Sequence, residues 1–305
     1  MKCWIVAVLA VLVCALTAVV VNRDLGGRSE DTATVTHVVR VVHTRQARAR
    51  QEPMSAVQAG EAPSPKPAKR IPPATRTPRW GLPLEGETVS VDPGHNGGNF
   101  THPEEIDRLV PAGANGTEKP CNTTGTETGD GSLTEAQFNW DVAQDLVPRL
   151  EQLGARVVLT RQNNDGVGPC VDERAEIANK AHADVALSIH ADGNLEAGAH
   201  GFDVIHPSTA ESVAPQEVGP SLRLAEAERN ALVIAGIPPA NYVGEDGLDE
   251  RSDLAGLNLA EVPAVLVELG NMRDEEEAAK LEDPAYRHKL ADALAAGIVS
   301  FLRGS

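Results

Sequence analysis

Two histidines and two glutamates stand where an apolar run or a helix hands over to a loop. They are His95 in Val91-Asp92-Pro93-Gly94-His95, Glu135 in Leu133-Thr134-Glu135, His190 in Ser188-Ile189-His190-Ala191, and Glu268 in Val265-Leu266-Val267-Glu268. Two imidazoles and a carboxylate are the donor set of a catalytic zinc that keeps one position open for water. A further carboxylate is what takes a proton from that water. On this reading His95, Glu135 and His190 are candidate zinc ligands and Glu268 is the candidate base. Each also has a plainer reading. His95 fits a turn histidine bonded to backbone, and His190 fits a core histidine satisfied by one hydrogen bond. Ser132-Leu133-Thr134-Glu135 also spells a capping box, in which the Glu simply bonds back to the helix cap. Glu268 closes a buried run, so its carboxylate must be paired, metal-bound or protonated there. Separations of 40 and 55 residues between His95, Glu135 and His190 match no local zinc motif such as His-Glu-x-x-His.

Such scattered residues meet only if the chain carries them to one place. From about Leu82 the pattern alternates strand and helix. Strands are expected at 88–92, 156–160, 185–189, 201–206 and 264–268. Helices are expected from Ser132 as cap to a stop at Gly154, then over 171–182, 221–235 and 285–302. Residues 99–132 are rich in Gly, Thr, Asn and Pro and read as a long irregular insertion. Strands written as continuous apolar runs between helices predict an α/β domain: a mainly parallel, twisted sheet flanked by helices. In such sheets ligands collect at the carboxyl edge of the strands. His95, His190 and Glu268 each lie at that edge, provided their strands run parallel.

Charge divides the chain of 305 residues unevenly. Residues 1–80 carry a balance of +7, and 81–305 carry −24. An acidic folded part argues against nucleic acid as partner, because phosphate binding needs a basic surface. Ile5 to Val21 is an uncharged apolar run behind Lys2, so residues 1–22 read as a signal peptide or a membrane anchor. Either implies export, with membrane contact only through this segment. Residues 23–80, rich in Pro, Ala and Arg, read as a disordered linker, apart from a strand-like alternation at 34–42. Residues 81–305 are left as the catalytic domain. With Cys3 and Cys14 in the leader, Cys121 and Cys170 remain in the folded part, and outside the cytosol such a pair is expected to be bridged.

The blocks around these residues resemble those of the zinc-dependent N-acetylmuramoyl-L-alanine amidases with an amidase-3 type catalytic domain. Val89 to His95 resembles the first block, and Glu135-Ala136-Gln137-Phe138-Asn139-Trp140-Asp141-Val142-Ala143 the Glu-led helix. Val158-Leu159-Thr160-Arg161 with Glu173-Arg174 to Asn179 resembles the middle block. Ser188 to Ala191 resembles the second histidine block, and Pro263 to Gly270 the last. The order is the family's, and the blocks span nearly all of residues 86–303. The chain is most similar to exported actinobacterial members, which share the paired cysteines and the stretch Asn241 to Leu248. It departs from the usual pattern at Asn96, Asp192 and Asn271, none of which is a ligand position.

The resemblance implies zinc on His95, Glu135 and His190, and Glu268 as the catalytic carboxylate. It implies a peptidoglycan or muropeptide substrate, cut between N-acetylmuramic acid and L-alanine. Rival readings are a wall-binding or regulating module with a vestigial site, and a zinc peptidase or deacetylase acting on another wall bond. Residues 195–220 show no helical insertion that would plug a cleft, so an open site needing no activator is expected.

Overall fold

Val185, Leu187, Ile189 and Ala191 are buried, whereas Ala186, Ser188, His190 and Asp192 between them are only partly covered. This strand therefore lies in a sheet with two unequal faces. A computed structural model describes residues 81–304. The leader at 1–22, the linker at 23–80 and the alternation at 34–42 lie outside the described residues.

The strands are β1 (Thr88–Pro93), β2 (Leu109–Pro111), β3 (Glu118–Pro120), β4 (Arg156–Leu159), β5 (Val185–Asp192), β6 (Asp203–Pro207), β7 (Leu248–Arg251) and β8 (Ala264–Asn271). The helices are α1 (Pro103–Ile106), α2 (Glu135–Gln152), α3 (Val171–Lys180), α4 (Val218–Ile234), α5 (Ala255–Asn258), α6 (Glu275–Glu282) and α7 (Pro284–Arg303). Six strands form the main sheet in the order β4-β1-β5-β8-β6-β7, and β2 and β3 pair as a separate hairpin. β4, β1, β5 and β8 are mutually parallel; β6 runs antiparallel to β8, with β7 parallel to β6. The sheet is thus mainly parallel, as expected, with a reversed edge.

One face is closed by α2, α4 and α7. Phe138, Val142, Leu146 and Leu150 of α2 meet Val89, Val91, Leu187 and Ile189 there, with Leu224, Leu290, Leu294 and Ile298 completing the cluster. These apolar residues recur at helical spacing, giving each helix an apolar face to bury against the sheet. The opposite face is covered more thinly by α3 and α5, through Leu257, Ala260, Ile205 and Ala264. Ser90, Asp92, Ser188 and His190 point into this thinner layer and line a cavity of about 380 Å³.

The start of α2 differs from the expectation. Its cap is Thr134, whose side chain accepts from the Gln137 amide at 3.3 Å, and Glu135 is the first helical residue. Ser132 is instead engaged with Asp130 at 2.7 Å. No capping box forms, because Glu135 is one residue into the helix and its carboxylate is drawn elsewhere. The insertion at 99–132 is also less irregular than its composition suggests, holding α1 and the β2–β3 hairpin. Among the described residues no helix is long and apolar enough to cross a membrane.

Candidate metal centre

β1 ends at Pro93, and the chain turns through Gly94 to His95, which has a left-handed backbone (φ 57°). That conformation is uncommon outside glycine and persists only where surroundings impose it. Here two buried arginines do so. Arg174 of α3 donates to the Pro93 carbonyl at 2.8 Å and the His95 carbonyl at 2.7 Å, and pairs with Asp92 at 2.6 Å. Arg161 donates to Pro93 at 2.8 Å and to Ala136 in the first turn of α2 at 2.9 Å. The turn carrying His95 is thereby tied both to α3 and to the helix carrying Glu135. Gly94 has a separate reason to be glycine: a Cβ there would lie 2.2 Å from the His190 ring.

The carboxylate of Glu135 lies between the two rings. Its Oε1 is 2.7 Å from His190 Nδ1 and 3.1 Å from His95 Nε2, and the rings meet edge to face at 4.8 Å between centroids. Its Oε2 accepts the Thr126 amide at 2.9 Å. Gly125, in the left-handed region at φ 77°, passes so close that a Cβ would meet Glu135 Oε2 at 2.7 Å and His95 Cδ2 at 2.8 Å. The second nitrogen of His95, Nδ1, lies 3.1 Å from the Thr123 carbonyl. A backbone acceptor at Nδ1 is the usual support of a metal-binding imidazole, since a proton held there would leave Nε2 free to bind a metal. His95, Glu135 and His190 offer one donor atom each, and these atoms lie within 4.8 Å of one another.

Glu268 stands directly across from His190 in the parallel pair β5–β8. Its Oε2 is buried without a hydrogen-bond partner. Burial, then the charges of Glu135, Asp203 and Asp192, push its pKa well above the ordinary carboxylate range. Glu135 goes the other way: burial opposes its charge, but the two histidines outweigh it, and the pKa falls well below normal. Its place at the amino end of α2 adds the favourable helix dipole. His190 is pulled down by burial, against the pull of Glu135, while the same carboxylate raises His95 despite burial. The two glutamates of the site are thus shifted in opposite directions.

Two imidazole nitrogens and one anionic oxygen, with a backbone-anchored His and an unpartnered carboxylate on the neighbouring strand, fit the donor chemistry of zinc. All four residues singled out in the sequence are thus brought together at the carboxyl edge of β1, β5 and β8. Cys121 and Cys170 are also joined, with S–S 2.14 Å, which pins the loop leading to Thr123 against the start of α3. The sequence reading missed the backbone partner Thr123, the close approach of Gly125, and Asp203, the cross-strand neighbour of Glu268. The Gly-Thr-rich text around 123–126 was the available signal for the first two.

Residues 89–300 match the family model described as N-acetylmuramoyl-L-alanine amidase. The chain is 44% identical over 219 residues to an N-acetylmuramoyl-L-alanine amidase of Mycobacterium tuberculosis, covering 72% of this chain and 88% of the relative. It superposes on the N-acetylmuramyl-L-alanine amidase Ami1 of Mycobacterium smegmatis with a TM-score of 0.68 and 43% identity, over 73% of this chain and 99% of that one. Against Ami1 of Mycobacterium abscessus the TM-score is 0.67 at 44% identity, over 72% and 100%.

Proposed function

We propose, from the premise that the chain belongs to the N-acetylmuramoyl-L-alanine amidase family, that its reaction is carried by zinc on His95, Glu135 and His190 with Glu268 as base. The enzyme is a peptidoglycan hydrolase that cuts the amide between the lactyl group of N-acetylmuramic acid and L-alanine of the stem peptide. When bound, zinc supplies Lewis acidity, polarising the scissile carbonyl and bringing a water towards a pKa of about 7. Glu268 accepts the proton of the attacking water as the new C–O bond forms. It then delivers that proton to the amide nitrogen, so the C–N bond breaks with a neutral amine leaving. Thr123 and the arginine pair hold His95 in place throughout, and Glu135 stays anionic.

The observation that carries this reading is the register of β5 on β8, which sets Glu268 opposite His190 and beside the His95–Glu135–His190 cluster. The segment 195–220 holds β6, a short 3-10 turn at Pro215–Glu217 and the first residues of α4; a cleft open to fragments without an activating partner is part of this proposal. Cell-wall chemistry places the work outside the cytosol. The apolar segment at 1–22 then serves as leader or anchor, the segment to 80 as tether, and 81–305 as the catalytic domain.

Mass analysis of products tests the assignment. Zinc-loaded protein with a muramyl peptide should release a stem peptide with a free L-alanine amino terminus, and chelation should stop it. Release of acetate, or cleavage between two amino acids, would point to a deacetylase or a peptidase instead.

A further inference from the structure

Arg273 stands just past the end of β8, five residues beyond Glu268. Its backbone is set by the buried Asn271, whose Oδ1 accepts the Arg273 amide at 3.0 Å. Asn271 Nδ2 in turn donates to the carbonyls of Asn194 at 2.9 Å and Ala199 at 2.8 Å. The half-buried side chain of Arg273 reaches back to the metal centre, where its Nε lies 3.3 Å from Thr126 Oγ1. Thr126 is the residue whose amide donates to Glu135 Oε2 at 2.9 Å. Gly193, just after β5, packs so closely on the same threonine that a Cβ would lie 2.4 Å from its Oγ1. Arg273, Thr126 and Gly193 thus form one rim of the site, two contacts from a candidate ligand. With Nε held by Thr126, the two terminal nitrogens remain, and among the described residues they make no hydrogen bond and no ion pair. The neighbouring cations are committed: Arg161 and Arg174 to backbone carbonyls, Lys119 and Arg251 to Asp253.

We propose that Arg273 is a specificity-determining residue that receives a carboxylate of the stem peptide, on the amine side of the scissile bond. This rests on the muramyl-peptide reading of the substrate given above. A guanidinium whose Nε is pinned presents its remaining N–H groups as a fixed fork, the shape that takes both oxygens of a carboxylate. In a domain with a charge balance of −24, a cation left without a protein partner at the rim of the site is completed by an anion that arrives with the substrate. The chemistry of the substrate says which half carries that anion. N-acetylated sugars are uncharged, and the lactyl carboxyl is consumed in the scissile amide. The acids that remain are the stem-peptide carboxylates beyond L-alanine, at its second or third residue. Extended chain covers about 3.3–3.6 Å per residue, so one or two residues bridge from the metal centre to a group two contacts away. Such a contact is made alike in ground state and transition state, so it acts on KM.

Three muramyl tripeptides test this on the full zinc-loaded chain. One carries all its carboxylates free, one has the carboxylate of the second residue converted to an amide, and one has those of the third residue converted. Wild type should cut the fully ionised form with kcat/KM about ten- to hundredfold above one of the two amides, the difference lying in KM. Which amide suffers identifies the carboxylate that is held. In Arg273→Ala that preference should disappear, and in Arg273→Glu it should invert. Arg273→Lys, which keeps the charge and loses the fork, should retain part of it. A ratio between two substrates on one sample cancels any loss of folded or zinc-loaded protein, so a merely structural role for Arg273 would leave it unmoved. Added salt should shrink the wild-type ratio and leave that of the alanine variant alone. Equal kcat/KM of wild type on all three forms, or a preference that survives in Arg273→Ala, would overturn the proposal while leaving the amidase reading intact. Failure of wild type to release stem peptide from any form would remove the substrate reading, and this inference with it.

Discussion

Arg174 Nη1 lies 2.6 Å from Asp92 Oδ1, and the same guanidinium holds the carbonyl of His95 at 2.7 Å. A buried ion pair is thus the anchor of the histidine with the left-handed backbone. Burial alone would raise the Asp92 pKa, but the charge of Arg174 and hydrogen bonds from Ser188 and Thr160 outweigh it and hold the group at about 2.

Arg174→Ala would leave Asp92, largely covered and still bonded to Ser188 and Thr160, without its counter-ion, a loss of up to about 3 kcal/mol. Urea denaturation at pH 7 should show that loss, and metal analysis should show weaker zinc retention. The depressed pKa sets the sign of the pH effect: the pair's contribution is full above the unfolded value of about 4 and disappears as pH falls through about 2. The gap between wild type and variant should therefore close in that acid window. A gap that persists below it would show that Asp92 is not the group involved.

Gly94→Ala places a methyl 2.2 Å from the ring of His190. Either the β1 turn or the ring must move, and both carry metal-site residues. Zinc stoichiometry should fall while circular dichroism stays near wild type; full zinc occupancy would refute this account of the glycine.

Removing both Cys121 and Cys170 as serines opens a covalent link across 49 residues. A loss of about 2–4 kcal/mol is expected. Because Thr123 is two residues from Cys121 and sits against His95 Nδ1, zinc affinity should weaken as well. Equal denaturation midpoints in oxidised and reduced protein would contradict this.

Glu228 of α4 is fully buried, both its carboxyl oxygens lack partners, and burial raises its pKa well above normal. It fits beside Gly297 of α7, where a Cβ would lie 2.4 Å from Glu228 Oε2. A raised carboxyl pKa favours the native state most below the unfolded value of about 4.3, and that stability is lost as pH climbs towards the folded value. Glu228→Gln, always neutral, should melt higher than wild type at pH 8 and show a flatter dependence of Tm on pH. For a domain of this size each kcal/mol corresponds to about 2–4 °C. Identical pH profiles would mean that Glu228 is not neutral in the native protein.

The metal centre was legible because its residues end apolar runs: Val185 to Ile189 before His190 and Val265 to Val267 before Glu268 spell buried parallel strands. Glu135 was ambiguous, since helix-start geometry and ligand geometry use the same residue type; the cap at Thr134 resolves it. β7 and α6 went unread. Leu248-Asp249-Glu250-Arg251 has no apolar alternation, and Glu275 to Glu282 is dominated by charge, held by the cap at Asp274. Arg161 and Arg174 were visible within the family blocks, but what they hold is backbone carbonyls, which no side-chain pattern announces. Asp203 acquires a neighbour only when β6 reverses against β8, a non-local event that sequence periodicity does not encode.

The most direct measurement is on zinc-loaded Glu268→Gln, with metal content and release of stem peptide from a muramyl peptide followed on the same sample. One zinc per chain with kcat reduced about 10²- to 10⁴-fold is the predicted result, as expected for loss of a general base. Retention of both zinc and near-normal turnover would contradict the account.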